Sequence, residues 1–296
     1  MVSLSYPLLS QQQQKHCPTL KQAAQPLPVL FEDSTHQLWH CETVDGPMAL
    51  KICNQEIIQQ SSFWRGMNRL FKASFPDNLQ HITAIYQQIA AISPLAIPDA
   101  IAAQANSFVL ATWLEGEAVA LENVSDKMVI QLVQHLGQLH QQTQTRWGSF
   151  HQLSLSAKQW PIRLHDTINT LAEEHTSPIP DDTLNLALQQ AKAIQVDEFV
   201  PIMPDLRWDQ FLQQNDQLSA LVDLDAFVYG PKELDLVLLE YLLSEQQAEI
   251  FKKHYQQYVE IPDLTVLRLP YRVLLFLMNV LGEQSLDSWL AREARL

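Results

Sequence analysis

The chain changes texture near residue 115. Before it, apolar and polar positions alternate in short segments; after it, apolar positions recur at three- and four-residue spacing. Leu27 to Glu32, His36 to Thr43 and Pro47 to Cys53 read as three strands. The last two are joined at Val44-Asp45-Gly46, where Asp-Gly is a strong hairpin cue. Phe63 to Lys72 is amphipathic, with Arg65, Arg69 and Lys72 at helical spacing. This basic patch suits a membrane surface or an acidic partner, but such a helix more often lies on its own domain. Ile82 to Ile92 reads as a helix ended by Ser93-Pro94, and Ser107 to Leu114 as a strand of β-formers. Asp126 to Gln142 carries Val129, Leu132, Val133, Leu136 and Leu139 on one helical face. Arg146 to Phe150 reads as a turn. Helices follow at Trp160 to Ala172, Thr183 to Ile194, Leu234 to Ser244, Ala248 to Val259 and Val266 to Leu281, with a short one in the tail. Residues 1–26 have no clear period and are expected as a loosely attached arm. Strands first and helices later predict an α+β chain of two lobes, a small antiparallel-sheet lobe over 27–114 and a larger, mainly helical lobe over 115–296.

With 296 residues and 47% apolar content the chain can bury a sizeable core. No apolar run reaches the roughly 18 residues of a membrane span, and the first ten residues lack the basic start of a signal peptide. Cys17, Cys41 and Cys53 are an odd, unpatterned set, which argues for a reducing, cytoplasmic setting and against disulfides or zinc. The formal net charge of −14 disfavours nucleic acid and anionic lipid and tolerates cationic ligands.

The stretch with the most chemistry runs from Phe199 to Leu239. The short apolar runs Phe211-Leu212 and Ala220-Leu221-Val222 flank a polar turn containing Asn215-Asp216, a hairpin signal. Asp205 and Asp209 precede the first run; Asp223 and Asp225 follow the second. A hairpin would gather these acids at one end, where their mutual repulsion calls for a cation or a chemical task. Carboxylates without soft neighbours suit Mg²⁺, which commonly arrives with phosphate.

The run from Met203-Pro204-Asp205 through Leu206-Arg207-Trp208-Asp209-Gln210 to Val222-Asp223 and Leu234-Asp235-Leu236 resembles the catalytic segment of the aminoglycoside phosphotransferase and choline kinase superfamily, which has a protein-kinase-like fold. The part from Asp225 to Leu236 is most similar to the fructosamine kinase branch. The resemblance spans roughly residues 27 to 260. It implies Asp205 as catalytic base, Asp223 as Mg²⁺ ligand with Gln210 and Asp225 beside it, and Asp235 as the residue that steadies the catalytic loop. Lys51 falls on the strand lysine that binds the α- and β-phosphates of ATP. The backbone of Thr112, Trp113 and Leu114 falls on the hinge that meets the adenine edge, and His140 on a structural histidine below the loop. Four positions depart from the family pattern His-Gly-Asp-Leu-His-x-x-Asn. Met203-Pro204 stands for His-Gly, Arg207 for the second His, and Gln210 for the metal-binding Asn. Arg207 is a candidate to lower the Asp205 pKa or to hold the γ-phosphate. The turn Glu32-Asp33-Ser34-Thr35-His36 lacks the glycines of a phosphate-covering loop, leaving Ser34 and Thr35 to bind phosphate. The helix over 82–92 lacks the acid that pairs with the lysine in the family, with Asp77 and Glu56 as substitutes off the family spacing. The resemblance implies ATP- and Mg²⁺-dependent phosphorylation of a small amino- or hydroxyl-bearing molecule, such as an aminoglycoside, a ketosamine or a choline-like cation. The departures support the alternative of an inactive kinase-fold protein that binds a nucleotide or a protein partner.

Overall fold

The computed structural model describes residues 4–28 and 34–296. Its smaller lobe is a five-stranded antiparallel sheet. The strands are β1 (Gln25–Pro26), β2 (His36–Thr43), β3 (Gly46–Cys53), β4 (Ala100–Gln104) and β5 (Phe108–Thr112), in the order β1-β2-β3-β5-β4. The Asp-Gly cue forms the β2–β3 hairpin, paired from Thr43 opposite Gly46 to His36 opposite Cys53. The strand expected at Leu27 to Glu32 falls largely on 29–33, outside the described residues, as do Glu32 and Asp33 of the following turn.

Side chains on β3 and β5 alternate between two apolar faces. Met48, Leu50, Ile52, Phe108 and Leu110 pack with Tyr6, Leu9, Leu20 and Cys41 in one cluster. Val109 and Ala111 join the main core on the other face, the face that also carries Lys51. The segment expected as a loose arm is therefore the cover of the outer face. A sheet apolar on both sides must be covered on both, since its exposed side would forfeit roughly 25 cal/mol per Å². The arm carries α1 (Gln11–Gln14), capped by Ser10. It is also tied by backbone bonds from Val44 to the Thr19 carbonyl (2.9 Å) and from Lys21 to the Glu42 carbonyl (2.8 Å).

Between β3 and β4 lie α2 (Gln55–Gln60), α3 (Ser62–Phe71) and α4 (Ile82–Ile92). The basic side of α3 meets the larger lobe, where Arg65 pairs with Glu174 at 3.3 Å. Arg163 donates to the Leu70 carbonyl at 2.7 Å. Trp64, Met67, Leu70 and Phe71 are buried beneath. The helix lies on its own domain, so its basic side is not a free membrane patch.

The larger lobe holds α5 (Asp126–His140), α6 (Trp160–Glu174), α7 (Asp181–Ala193), α8 (Lys232–Leu242), α9 (Glu245–Tyr255), α10 (Arg268–Leu277) and α11 (Leu286–Leu290). It also holds two small sheets. One is made of β6 (Glu117–Ala118), β10 (Phe211–Gln214) and β11 (Gln217–Leu221). The other is made of β7 (Arg146–Ser149), β8 (Leu155–Ser156), β9 (Val200–Ile202) and β12 (Val228–Gly230). The Asn215-Asp216 turn closes the β10–β11 hairpin with both residues at positive φ (53° and 59°), the twist-matched geometry for a two-residue turn. The segment read as a turn at Arg146 to Phe150 is strand β7, paired with β12 and β8. Fully buried Trp147 anchors it among Phe71, Trp160 and Phe199. Tertiary burial of the tryptophan overrides the local reading as a turn.

Candidate active site

The site lies where β3 of the smaller lobe faces the loops around the β10–β11 hairpin. The β9–β10 loop carries Asp205. It is held from below by Asp235, fully buried on the first turn of α8, which accepts the Met203 N–H on both oxygens (3.1 and 3.2 Å). His140 at the end of α5 touches Asp235 at 3.3 Å through Nε2 and the Tyr255 hydroxyl at 2.6 Å through Nδ1. Burial raises the Asp235 carboxyl, which the histidine and the Met203 N–H oppose. A histidine at 203 is not needed for this support, because the bond to Asp235 comes from the backbone.

The second acidic segment leaves β11. Asp223 sits at φ +65°, in the left-handed region that Asp tolerates better than most residues, and its side chain is 46% exposed. Asp225, two residues on, is only 2% exposed. Lys51 reaches down from β3 to both. Its ammonium donates to Asp223 Oδ1 and to Asp225 Oδ2, the latter at 2.7 Å. Burial alone would lower the Lys51 pKa; the two carboxylates outweigh it and hold the ammonium well above its ordinary value. Desolvation pushes Asp223 up, but Lys51 and its hydrogen bond, with His36 and Arg207, outweigh that and leave it below the usual carboxylate range.

Asp205 accepts Gln210 Nε2 on Oδ2 at 3.0 Å, while its Oδ1 is buried without a hydrogen-bond partner. Burial and the nearby charge of Asp223 push its carboxyl up to about 7, against the lowering effects of Arg207 and Gln210. The lowering effect of Arg207 on Asp205 is outweighed by burial and by Asp223. Arg207 is instead clamped by Asp209, Nε to Oδ1 at 2.9 Å and Nη2 to Oδ2, which explains the fourth acid of the segment.

Gln210, expected beside the metal, has both ends of its amide engaged inside the loop. Its nitrogen serves Asp205, and its oxygen accepts the Arg207 N–H at 3.1 Å. The longer stem that replaces Asn folds back onto its own loop. Among the described residues, no three His, Cys, Asp or Glu side chains are arranged to hold a metal ion; Lys51 stands between Asp223 and Asp225. The exposed carboxylate of Asp223 fits a hard cation whose other ligands come from phosphate and water. Asp225, tied to Lys51 and buried, fits a structural partner better than a metal ligand.

Neither substitute for the missing helix acid reaches the lysine. Asp77 accepts from Asn106 Nδ2, and Lys51 takes its carboxylates from Asp223 and Asp225. Tyr86, buried on the inner face of α4, is the helix residue nearest in role: it interacts electrostatically with Lys51, and its hydroxyl hydrogen-bonds the Leu224 backbone. His36 is the other neighbour that sequence reading passed over. Its Nε2 lies 3.6 Å from Asp225 Oδ2 and has no hydrogen-bond partner. Burial and Lys51 lower its pKa to about 4, so it is neutral. Both were findable. Alternation puts His36 and Leu38 on the Lys51 face of the β2–β3 ribbon, and Tyr86 is the one hydroxyl in the apolar stripe of α4.

Thr35 contacts His36 Nδ1 through Oγ1 (3.3 Å) and accepts the Asn54 N–H (2.8 Å); Ser34 is half-buried beside it. At the hinge, the Thr112 N–H bonds the Asp99 carbonyl (2.9 Å) and the Trp113 N–H the Pro47 carbonyl (3.0 Å), so these two donors serve the sheet. The Trp113 ring packs edge-on against His40, with centroids 4.8 Å apart. Leu114 is half-buried at the crossing between the lobes.

A strand lysine held by paired acids, beside a loop aspartate supported from below, is the order of groups expected of a phosphotransferase class of site. Residues 31–269 match the profile of the phosphotransferase enzyme family (APH), and the chain belongs to that family. No curated protein matches it by sequence. Solved structures with the same fold include macrolide 2′-phosphotransferase MphH from Brachybacterium faecium (12% identical, 95% of this chain and 94% of that chain, TM-score 0.58). A candidate fructosamine-3-kinase from Haemophilus somnus 129PT also shares it (14%, 90% and 88%, TM-score 0.58). So does spectinomycin phosphotransferase APH(9)-Ia, solved with ADP and spectinomycin (14%, 96% and 93%, TM-score 0.56). No helix among the described residues is long and apolar enough to cross a membrane.

Proposed function

We propose that the protein is an ATP-dependent small-molecule kinase whose acceptor carries an amine or hydroxyl. The observation that carries this reading is the single constellation formed by Lys51, Asp223, Asp225 and Asp205, with one buried oxygen on each of Asp205 and Asp225 lacking a partner. A buried carboxylate oxygen without a partner calls for a donor or a cation, which a bound ligand would supply. In this reading Lys51 holds the nucleotide phosphates and Asp223 is the residue that would hold Mg²⁺. Bound there, the ion supplies charge neutralisation on the transferring group. Asp205 orients the acceptor and takes its proton. A carboxyl pushed up to about 7 suits that task, because its proton affinity matches neutral working conditions. Leu38, across from Lys51 on β2 and partly exposed, roofs the cleft for the base. Arg207, neutralised by Asp209, acts on the loop rather than on the γ-phosphate. The acidic chain suits a cationic acceptor of the aminoglycoside, ketosamine or choline type, in the cytoplasm.

One observation favours the alternative of an inactive nucleotide- or partner-binding protein. The Gln210 amide closes the loop on itself, so the second metal ligand of the family is not presented. The test is ATP turnover in Mg²⁺ with kanamycin, a fructosyl-lysine and choline as acceptors, for wild type, Asp205→Asn and Asp223→Ala. Acceptor-stimulated turnover lost in both variants supports the kinase. Nucleotide binding without turnover across a broad acceptor set supports the alternative.

A further inference from the structure

The two carboxylates on Lys51 differ more than their spacing suggests. Asp223 is 46% exposed on a left-handed backbone. Asp225 is 2% exposed, 2.7 Å from the ammonium, with His36 Nε2 3.6 Å away. An ion pair at a solvated carboxylate is weak and replaceable by any other cation. Removing one partner of a buried pair leaves an uncompensated charge in a poorly solvated place, which is far more costly. Lys51 is 11% exposed, and the acid that holds it must be one that never leaves it.

We infer that Asp225 is a positioning residue that anchors Lys51 permanently, with His36 packed beside the same oxygen that holds the ammonium, while Asp223 is only a temporary partner that Lys51 releases when cation and phosphate arrive. The ammonium pivots on Asp225. In the free protein it neutralises Asp223; in the loaded one it turns to phosphate, and Asp223 is left for the divalent ion. Lys51 and a free divalent ion therefore compete for Asp223, and nucleotide relieves that competition. By linkage, divalent ion and nucleotide each strengthen the binding of the other. The pivot also accounts for α4, where Tyr86 stands near the lysine and no acid is required.

The test has one arm without nucleotide. Acylation of Lys51 by sulfo-NHS-acetate, followed by peptide mass spectrometry, should accelerate about ten-fold or more in Asp225→Asn and less than about three-fold in Asp223→Asn. Asp225→Glu keeps the charge and should restore slow labelling; it also serves if the Asn variant does not fold. In the second arm, calorimetry measures ATP affinity in EDTA and in Mg²⁺. Asp223→Asn should lose the Mg²⁺ enhancement and bind ATP in EDTA at least as tightly as wild type, because Lys51 no longer has to leave a carboxylate to reach phosphate. Asp225→Asn should keep the enhancement and bind ATP about ten-fold more weakly in both media. Equal labelling of the two Asn variants, or loss of the Mg²⁺ enhancement in Asp225→Asn, would overturn the assignment. The second arm rests on the kinase reading. A wild type that binds no ATP contradicts that reading, and the labelling contrast then decides this one.

Discussion

Two sets of buried acids in this molecule are finished to different degrees. Glu240, fully buried on α8, has both oxygens engaged. Oε1 accepts from Arg268 Nε (2.9 Å) and from the backbone of Arg295 and Leu296, and Oε2 accepts from Arg272 Nη2 (2.7 Å). Asp235 is likewise engaged on both oxygens. In the cleft, Asp205 and Asp225 each keep one buried oxygen bare. The saturated acids hold elements together: Glu240 straps the C-terminal tail to α8 and α10, and Asp235 fixes the β9–β10 loop. The unsaturated ones face the place where a ligand is proposed. Among these four acids burial alone does not separate the two sets; a bare carboxylate oxygen does.

That contrast can be broken experimentally. The largest expected effect is on chemistry: Asp223→Ala should cut acceptor-stimulated turnover about 10³-fold, since the metal's electrostatic contribution is worth several kcal/mol. Its thermal midpoint should stay close to wild type. Glu240→Ala should do the opposite. Leaving Arg272 buried without its acid should cost about 3–5 kcal/mol in denaturant unfolding, while turnover per folded molecule is unchanged. A Glu240 variant that is as stable as wild type would erase the distinction.

Asp205→Asn gives a smaller, pH-dependent signature. Its carboxyl is held up to about 7 in the folded protein against an ordinary value of 3.8. The folded state therefore keeps a proton that the unfolded chain releases, and stability falls as pH rises from about 4 through 7. Asparagine removes that loss, so the variant should gain at least about 1 kcal/mol over wild type between pH 4 and 8. Wild-type turnover should rise through pH 7, and the variant should show no such rise. Smallest of all, Arg65→Ala breaks an exposed pair with Glu174 and should change stability by less than about 1 kcal/mol.

Much of this was legible in the chain. The Asp-Gly and Asn-Asp turns fix two hairpins by backbone preference alone, and α4 and α5 announce themselves by period. The family resemblance singled out Lys51, Asp205, Asp223 and Asp235, and the fold gathers Lys51 with Asp223 and hangs the Asp205 loop on Asp235. What spacing does not encode is side-chain direction. Gln210 and Asn differ by one methylene, and only the folded loop shows the amide turning back to Asp205 and Arg207. Asp225 and Asp223 are indistinguishable as letters, yet one is buried under β3 and the other is open. The arm gives no signal because short apolar positions such as Tyr6, Leu9 and Leu20 have no period of their own; their partners lie on a sheet face about 20 to 100 residues away. Trp147 hid strand β7 for the same reason.

The most direct measurement is thermal unfolding with and without Mg²⁺ and ATP, for wild type, Asp223→Ala and Glu240→Gln. Ligand that binds only the folded state raises the midpoint as its concentration exceeds the dissociation constant. The account predicts a magnesium-dependent rise in wild type, its loss in Asp223→Ala, and its retention from a lower starting midpoint in Glu240→Gln. No rise in wild type at millimolar ATP, or an undiminished rise in Asp223→Ala, would contradict it.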